Sequence, residues 1–455
     1  MVYAYLNSEG GMKMLEDYYG RRVLVGRDEI VPAHVQTLPT ITVQTREIIC
    51  HRCGQRTPKL VAALPNNEYY CPHCINLGRV STLYKFYHVP EPNQFTISQP
   101  VLTWRGRLSP LQVTAAQRVT AGMVAHQRQL LWAVTGAGKT EMIFQGVAAC
   151  LARGERLAIV SPRVDVCLEL YPRLQAAFTN TEIALLHGRQ LQPYHYAQLT
   201  VCTTHQLLRF YHAFDNLIID EVDAFPYAAN PVLFYASQQA SKTQGGQLFL
   251  TATPGEYLLN EARHRRLQVT YLPLRYHGHL LPEIRCHLAR HWRRQVQRGR
   301  LPTEMWRRLQ TSLHQGHRFL LFVPHVADLT TVARACTRYF PATSFTTVHA
   351  QDPQRLEKVQ EMRDQRYSFL ITTSILERGV TFPEIDVFVL GADDDIFSSA
   401  ALVQIAGRAG RSASRPGGHV DFWLTARCRR VNQAMRQIRY MNQKGRCCQR
   451  ELSAM

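Results

Sequence analysis

No stretch of about 18 consecutive apolar residues occurs in this 455-residue chain, which removes the pattern of a membrane-spanning helix. The opening MVYAYLNSEGG has neither the basic start nor the apolar core of a secretion signal, so the expectation is a chain made and kept in the cytosol. Internal repeats and low-complexity tracts are also missing, which excludes solenoids and biased linkers. Charged residues are only 19% against 45% hydrophobic, far from the signature of disorder, and the whole chain is expected to fold. Acid is scarce: 53 Lys and Arg against 34 Asp and Glu leave a formal charge of +19, so a polyanion is the natural partner. Lysine is scarcer still, at seven of those 53. The arginine bias suits bidentate pairing with phosphate, and genomic GC content produces the same bias without functional meaning.

Twelve cysteines are present, and four of them are spaced as CHRC (50–53) and CPHC (71–74). The pattern C-x2-C-x17-C-x2-C in a reducing compartment points to a tetrahedral zinc site on Cys50, Cys53, Cys71 and Cys74. A redox dithiol or four unrelated buried thiols are the competing readings. His51 and His73 lie inside the two turns as alternate ligands or exposed fillers. The single cysteines at 150, 167, 202, 286, 336 and 428 lie in apolar segments and read as core residues.

Beyond a proline-bearing link (Pro90, Pro92, Pro100), short apolar runs alternate with helical stretches from about Trp104. LLWAV (130–134), RLAIVSP (156–162), LTVCTT (199–204), NLIIDEVD (216–223) and GQLFLTATP (246–254) read as buried parallel strands. A second series follows a polar, His/Arg-rich stretch around 256–310: RFLLFVP (318–324), SFLITTS (368–374), IDVFVLG (385–391) and HVDFWL (419–424). The reading is α/β, with two parallel-sheet lobes in tandem behind a small four-cysteine zinc module. Its divisions are 1–49, a segment of unknown role; 50–100, the module and linker; 101–270, the first lobe; and 271–455, the second lobe with a basic, helical tail.

AVTGAGKTEM (133–142) follows a strand and opens a helix, the context a phosphate-binding loop requires. Gly136 and Gly138 let backbone N–H groups turn on an anion at a helix start, Lys139 reaches the β- and γ-phosphates, and Thr140 ligates Mg2+. Thr135, Ala137 and Glu141 complete the loop, and Ala133 stands where the general pattern has its first glycine. NLIIDEVD then places Asp220 and Glu221 at the end of an apolar strand, where open α/β sheets bind ligands. Asp220 is the second magnesium group there, and Glu221 the one that orients and deprotonates water. ATP, Mg2+ and Zn2+ are the cofactors these patterns call for.

AVTGAGKT, DEVD, TATP and QIAGRAGR in this order resemble the superfamily 2 helicases from Leu108 to beyond Arg411. That resemblance implies two RecA-like lobes. It also implies Gln112 on the adenine edge, and backbone-gripping motifs at SPR (Arg163), TTH (Thr203, Thr204) and TTSILERGVTFP (Thr372, Thr373). Gln404 falls on the γ-phosphate side, with Arg408 and Arg411 as arginine fingers that make hydrolysis depend on lobe closure. The cysteine module ahead of the motor, with IIDEVDAFP, ILERGVTFP and IFSSAALVQIAGRAGR, narrows the resemblance to the ComFA family, the ATPases of natural competence. The resemblance implies a motor driven by single-stranded DNA that imports transforming DNA. A ComFC-like partner, the uptake channel, a place at the inner face of the membrane and assembly with further copies of the chain belong to the same expectation. The rival is a PriA-like replication-restart or repair helicase, but that family carries its cysteines within the second half of the motor, and no CxxC lies between Cys286 and Cys428 here. A non-catalytic scaffold would lack Lys139 or Glu221. Nothing in the motifs reads a 2′-hydroxyl, so RNA stays open as the track.

Two basic stretches have no fixed assignment. Arg46, Arg52, Arg56, Lys59, Arg79 and Lys85, with Tyr69, Tyr70, Tyr84, Phe86 and Tyr87, surround the cysteines and suit either single-stranded DNA or a protein partner. Residues 285–308 hold eight arginines with Trp292 and Trp306 between them, as in a strand-tracking groove or a solvated helix face.

Overall fold

The computed structural model describes all residues except 1–3, 7–11, 189–193, 379, 381, 454 and 455, and the backbone alone for 4–6, 12–14 and 452. Two positions of the ILERGVTFP motif, 379 and 381, therefore lie outside the described residues. The chain divides into two units, Met1–Leu131 with Thr140–Thr270, and Trp132–Lys139 with Tyr271–Met455.

The N-terminal part of the first unit is built on two antiparallel three-stranded sheets. In one, β1 (Val23–Gly26) and β2 (Gln36–Pro39) flank β6 (Tyr84–His88); in the other, β4 (Glu47–Cys50) lies between β3 (Ile41–Val43) and β5 (Arg56–Pro58). Residue 49 thus lies inside β4, and strands on both sides of it share sheets. One core cluster beneath is small, Tyr18, Val25, Val35, Tyr87 and Val89, and Ile41, Ile48, Val80 and Phe86 are buried as well.

The large sheet that follows contains β7 (Arg128–Ala133), β8 (Leu157–Ser161), β9 (Ile183–Leu186), β10 (Leu199–Thr203), β11 (Phe214–Asp220), β12 (Ser241–Thr251) and β13 (Gln268–Leu272), in the order β9-β10-β8-β11-β12-β7-β13. Pairs β8–β10, β8–β11, β9–β10 and β11–β12 are parallel. The second unit carries β14 (Arg285–Leu288), β15 (Phe319–Phe322), β16 (Phe345–Val348), β17 (Phe369–Thr372), β18 (Asp386–Leu390) and β19 (Val420–Leu424), in the order β14-β19-β18-β15-β17-β16, all parallel. Every apolar run read from the sequence is a strand here. Strands buried on both faces lose no contact by being apolar throughout, which is why β8, β10, β15, β17, β18 and β19 show no alternation.

Three other expectations change on inspection. Trp292 is fully buried in the second unit's core and Trp306 stacks on Tyr339 at 5.4 Å, so neither offers a ring to a nucleobase. The arginines around them face solvent or carboxylates, as Arg293 does with Asp394 at 3.0 Å and Arg308 with Asp421 at 3.6 Å. Among the single cysteines, 150, 167, 202 and 336 are buried, but Cys286 is exposed and Cys428 only half-buried. Cys286 lies on the edge strand β14, which the rest of the sheet covers on one flank only.

Candidate nucleotide site and cysteine centre

At the end of β7 the chain turns through Gly136 (φ 77°) and Gly138 (φ 72°), conformations that favour glycine, and enters the helix Lys139–Met142. The Ala137 N–H reaches back to Val134 O at 3.2 Å, closing the loop into a cradle. Thr135 and Ala137 are buried. The Glu141 carboxylate pairs with Arg173, on the helix Val164–Ala177, which turns its charge away from a phosphate at the loop. Gln112, in the helix Pro110–Val124, closes a capping box in which the Ser109 N–H donates to its Oε1 at 2.8 Å.

Asp220 ends β11, one strand away from β7 across β12. Its Oδ1 accepts the Glu221 N–H at 2.8 Å, and Glu221 stands in the left-handed region (φ 53°), where a non-glycine residue stores on the order of 1–3 kcal/mol of strain. That turn carries the chain off the strand so that Asp223 comes under the TATP segment. The Thr251 hydroxyl donates to the Asp223 carboxylate at 2.6 Å and the Thr253 hydroxyl donates to its other oxygen. Asp223 went unassigned in the sequence, although it is the fourth letter of DEVD; it ties the strand end bearing the carboxylate pair to the TATP turn.

In the second unit, Gln404 lies in the helix Ser399–Ala406 and is buried. Arg408 is buried with its Nε donating to Glu377 O at 3.0 Å, and Arg411 Nε donates to Gly407 O at 3.0 Å. Sequence motifs gave no sign of Arg275. Its buried guanidinium donates to Ala409 O at 2.6 Å, to Gly410 O, and to Gly407 O at 3.3 Å. Burial, then Arg411 beside it, pushes this guanidinium down to about 9. The next residue, Tyr276, donates its N–H to Gly136 O at 3.0 Å within the same unit. One short segment thus braces the carbonyls of the GRAGR turn and the phosphate loop together.

The five residues expected at a nucleic-acid strand occupy strand ends. Arg163 stands at the N-cap position of the helix after β8 without a side-chain capping bond, and Thr203 ends β10. Thr204 is fully buried, and the buried Thr372 donates its hydroxyl to Val348 O at 3.0 Å, so neither side chain is presented to solvent. Thr373 follows β17 and is nearly buried.

The four module cysteines converge although they come from two turns. Cys50 ends β4, Cys71 stands at the N-cap of the short 3-10 helix Pro72–Leu77, and Cys74 lies within that helix. All four are buried and their sulfurs lie within 4.8 Å of one another, with Cys50–Cys74 at 3.9 Å and Cys53–Cys71 at 3.6 Å. Zn–S bonds of about 2.3 Å in a tetrahedron put sulfurs roughly 3.8 Å apart, so the donor set fits zinc. Crowding makes the thiols share protons, Cys50 and Cys71 falling and Cys53 and Cys74 rising. His51 is not among the ligating atoms: its Nε2 meets Thr42 Oγ1 at 2.7 Å, and His73 is exposed.

Residues 24–88 match the family described as the competence protein ComFA N-terminal domain. A "Competence protein ComFA" of Bacillus subtilis (strain 168) is 38% identical over 424 residues, 91% of this chain and 91% of that protein. The chain belongs to the ComFA family. A second ComFA, from Streptococcus pneumoniae (strain ATCC BAA-255 / R6), is 38% identical over 95% of this chain and 99% of its own length. The motor segments of this ComFA-family chain match the res subunit of type III restriction enzymes over 105–256 and the helicase conserved C-terminal domain over 303–413. Among solved structures, a variant of S. cerevisiae Dbp5 bound to RNA and ADP BeF3 aligns with a TM-score of 0.51 at 14% identity, over 73% of this chain and 92% of that one. That likeness establishes the fold, two RecA-like lobes. The ComFA-family chain is therefore a nucleotide-hydrolysing motor of superfamily 2 helicase type with a cysteine cluster compatible with zinc. Among the described residues no helix is long and apolar enough to cross a membrane.

Proposed function

We propose that this chain is a DNA-dependent ATPase that translocates on single-stranded DNA and drives the import of transforming DNA. The observation that supports it most is the joining, in one chain, of a phosphate cradle and a DEVD strand end to a converged four-cysteine module, along almost the whole length of two competence relatives. The backbone N–H groups of Thr135 to Gly138, with Lys139, hold the β- and γ-phosphates, and Gln112 selects adenine. Thr140 and Asp220 would hold Mg2+, which would supply charge neutralisation at the phosphate oxygens. Glu221 takes the proton of the attacking water, and the strained φ at this residue fixes its carboxylate relative to Asp220. Gln404, Arg408 and Arg411 stabilise the γ-phosphate as it separates, with Arg275 holding their turn in shape. Asp223 passes the state of this site to the TATP turn through Thr251 and Thr253. Arg163, the ends of β10 and β17, and the N–H groups around Thr203, Thr204, Thr372 and Thr373 contact the strand. The zinc module is structural.

ATP hydrolysis by the purified protein with no nucleic acid, single-stranded DNA, duplex DNA and RNA, beside Lys139→Ala, tests the reading. Stimulation by single-stranded DNA that the variant loses is the expected result. A preference for forked duplex or RNA points to a helicase of another kind, and no hydrolysis under any condition overturns the motor.

A further inference from the structure

The seam where the N-terminal part meets the first lobe holds a cavity of about 300 Å3, at the small end of ligand-site volumes. Arg21, Leu186, His187, Tyr194, Gln206 and Arg209 line it, and among the described residues that line it there is no carboxylate. Backbone pairing puts the two arginines at neighbouring positions, Arg21 opposite Phe210 and Arg209 opposite Arg22. Arg22 N–H donates to Arg209 O at 3.0 Å and Tyr211 N–H to Gly20 O at 2.8 Å, so residues 20–22 run against 209–211 like a short pair of strands.

Arg21 is costly where it stands. Its guanidinium lies 3.9 Å over the Tyr194 ring and its Nη1 donates to Asp17 O at 2.9 Å, while its Nε is buried with no hydrogen-bond partner among the described residues. Burial, with Arg209 and Arg156 nearby, pulls its pKa below the usual arginine value, and burial does the same to Arg209. A poorly solvated Arg21 with the solvent-exposed Arg209 beside it raises the energy of the folded chain, and an anion entering the cavity relieves it. The position is also informative. Leu186 and His187 leave the carboxyl end of β9, and Gln206 and Arg209 follow the carboxyl end of β10. Open α/β sheets bind ligands beyond these ends.

We infer that this cavity is a phosphate subsite in which Arg209 and Arg21 grip one backbone phosphate of a single strand crossing the ends of β8, β10 and β9. The N-terminal part then lengthens the track of the motor and supplies half of one grip. Arginine forks match phosphate oxygens in pairs, and the buried Gln206 and the exposed Asn76 add neutral donors. Free phosphate shares this chemistry, so the test separates the two sources.

The subsite rests on the single-strand reading above, and the two fail differently. Binding of a fluorescent single-stranded oligonucleotide to the full chain is measured across a salt series for wild type, Arg209→Gln, Arg209→Lys and, as a control elsewhere, Arg363→Gln. Loss of one strand phosphate lowers the slope of log K against log salt by about 0.7 and weakens binding roughly tenfold in Arg209→Gln, while the lysine and control variants keep most of both. In parallel, inorganic phosphate alone is titrated against thermal stability with ADP present to occupy the nucleotide site. Stabilisation of wild type and not of Arg209→Gln, with an unchanged salt slope, identifies free phosphate as the occupant. Unchanged slope and equal phosphate response in both proteins overturn the subsite. Wild type that ignores single-stranded DNA overturns the motor reading and leaves the phosphate titration to decide the pocket. Arg209 is exposed, so its variants are expected to fold; zinc content and far-UV dichroism check this.

Discussion

The cysteine module and the second lobe keep their shapes by opposite means. In the second lobe six parallel strands stand over a continuous core that includes Trp292, Phe319, Phe369, Phe388 and Trp423, and no single side chain carries it. The module has strands of three to five residues, one of them mostly exposed, over a small cluster of Tyr18, Val25, Val35, Tyr87 and Val89 and a few further buried side chains such as Ile48 and Phe86. What it lacks in apolar area it gains from four sulfurs and from attachment to the first lobe. A module this small cannot rely on core burial, and a point of covalent or metal cross-linking replaces it.

Replacing one sulfur separates the two designs most strongly. Cys71→Ser, or zinc removal by a chelator, forfeits metal-linked stability on the order of 10 kcal/mol, read as lost zinc and protease-sensitive residues 20–90, while the second lobe keeps its own melting transition. Next come two substitutions of similar cost and opposite address. Glu91 and Arg156 form a fully buried ion pair that pins the linker to the first lobe; Glu91→Gln leaves Arg156 uncompensated and costs about 3–5 kcal/mol, seen as early unfolding of the N-terminal part. Trp292→Ala costs about 3–5 kcal/mol in the second lobe and spares the module, as hydrogen exchange resolved by region will show. Asp223→Asn weakens the bonds from Thr251 and Thr253 by about 1–3 kcal/mol, so hydrolysis persists while its stimulation by DNA falls.

The smallest effect is acid sensitivity of the module seam. His51, His88 and His212 all titrate below the usual histidine value of 6.5, chiefly through burial and with Arg22 adding to it in each case, while the hydrogen bond that the His88 ring donates to Arg21 O partly opposes the shift there. The unfolded chain therefore takes up protons that the folded one refuses. Stability is full above about 6.5 and declines as pH falls from there to the lowered folded values, with the module loosening first in a pH series of proteolysis.

What could be read from the sequence follows the same division. Central strands were legible because burial on both faces forces apolar runs. The four strands not foreseen in the lobes, β9, β13, β14 and β16, are the outermost of their sheets, and their polar letters, as in RCHL and FTTV, blur the pattern. The phosphate loop and cysteine pairs were legible because their chemistry fixes spacing. Residues 1–49 were not, since short antiparallel strands closed by distant partners leave no local period. Arg275 was invisible for another reason: its partners are backbone carbonyls more than 130 residues away, and backbone carries no sequence signature.

The pairing of residues 20–22 with 209–211, together with the Arg22 guanidinium on His51 O and Gln239, fastens the seam at several points. The module is thus a rigid handle cast onto the first lobe. Any turn the first lobe were to make would therefore carry the module with it, since the bonds that join them would have to break for the two to move apart.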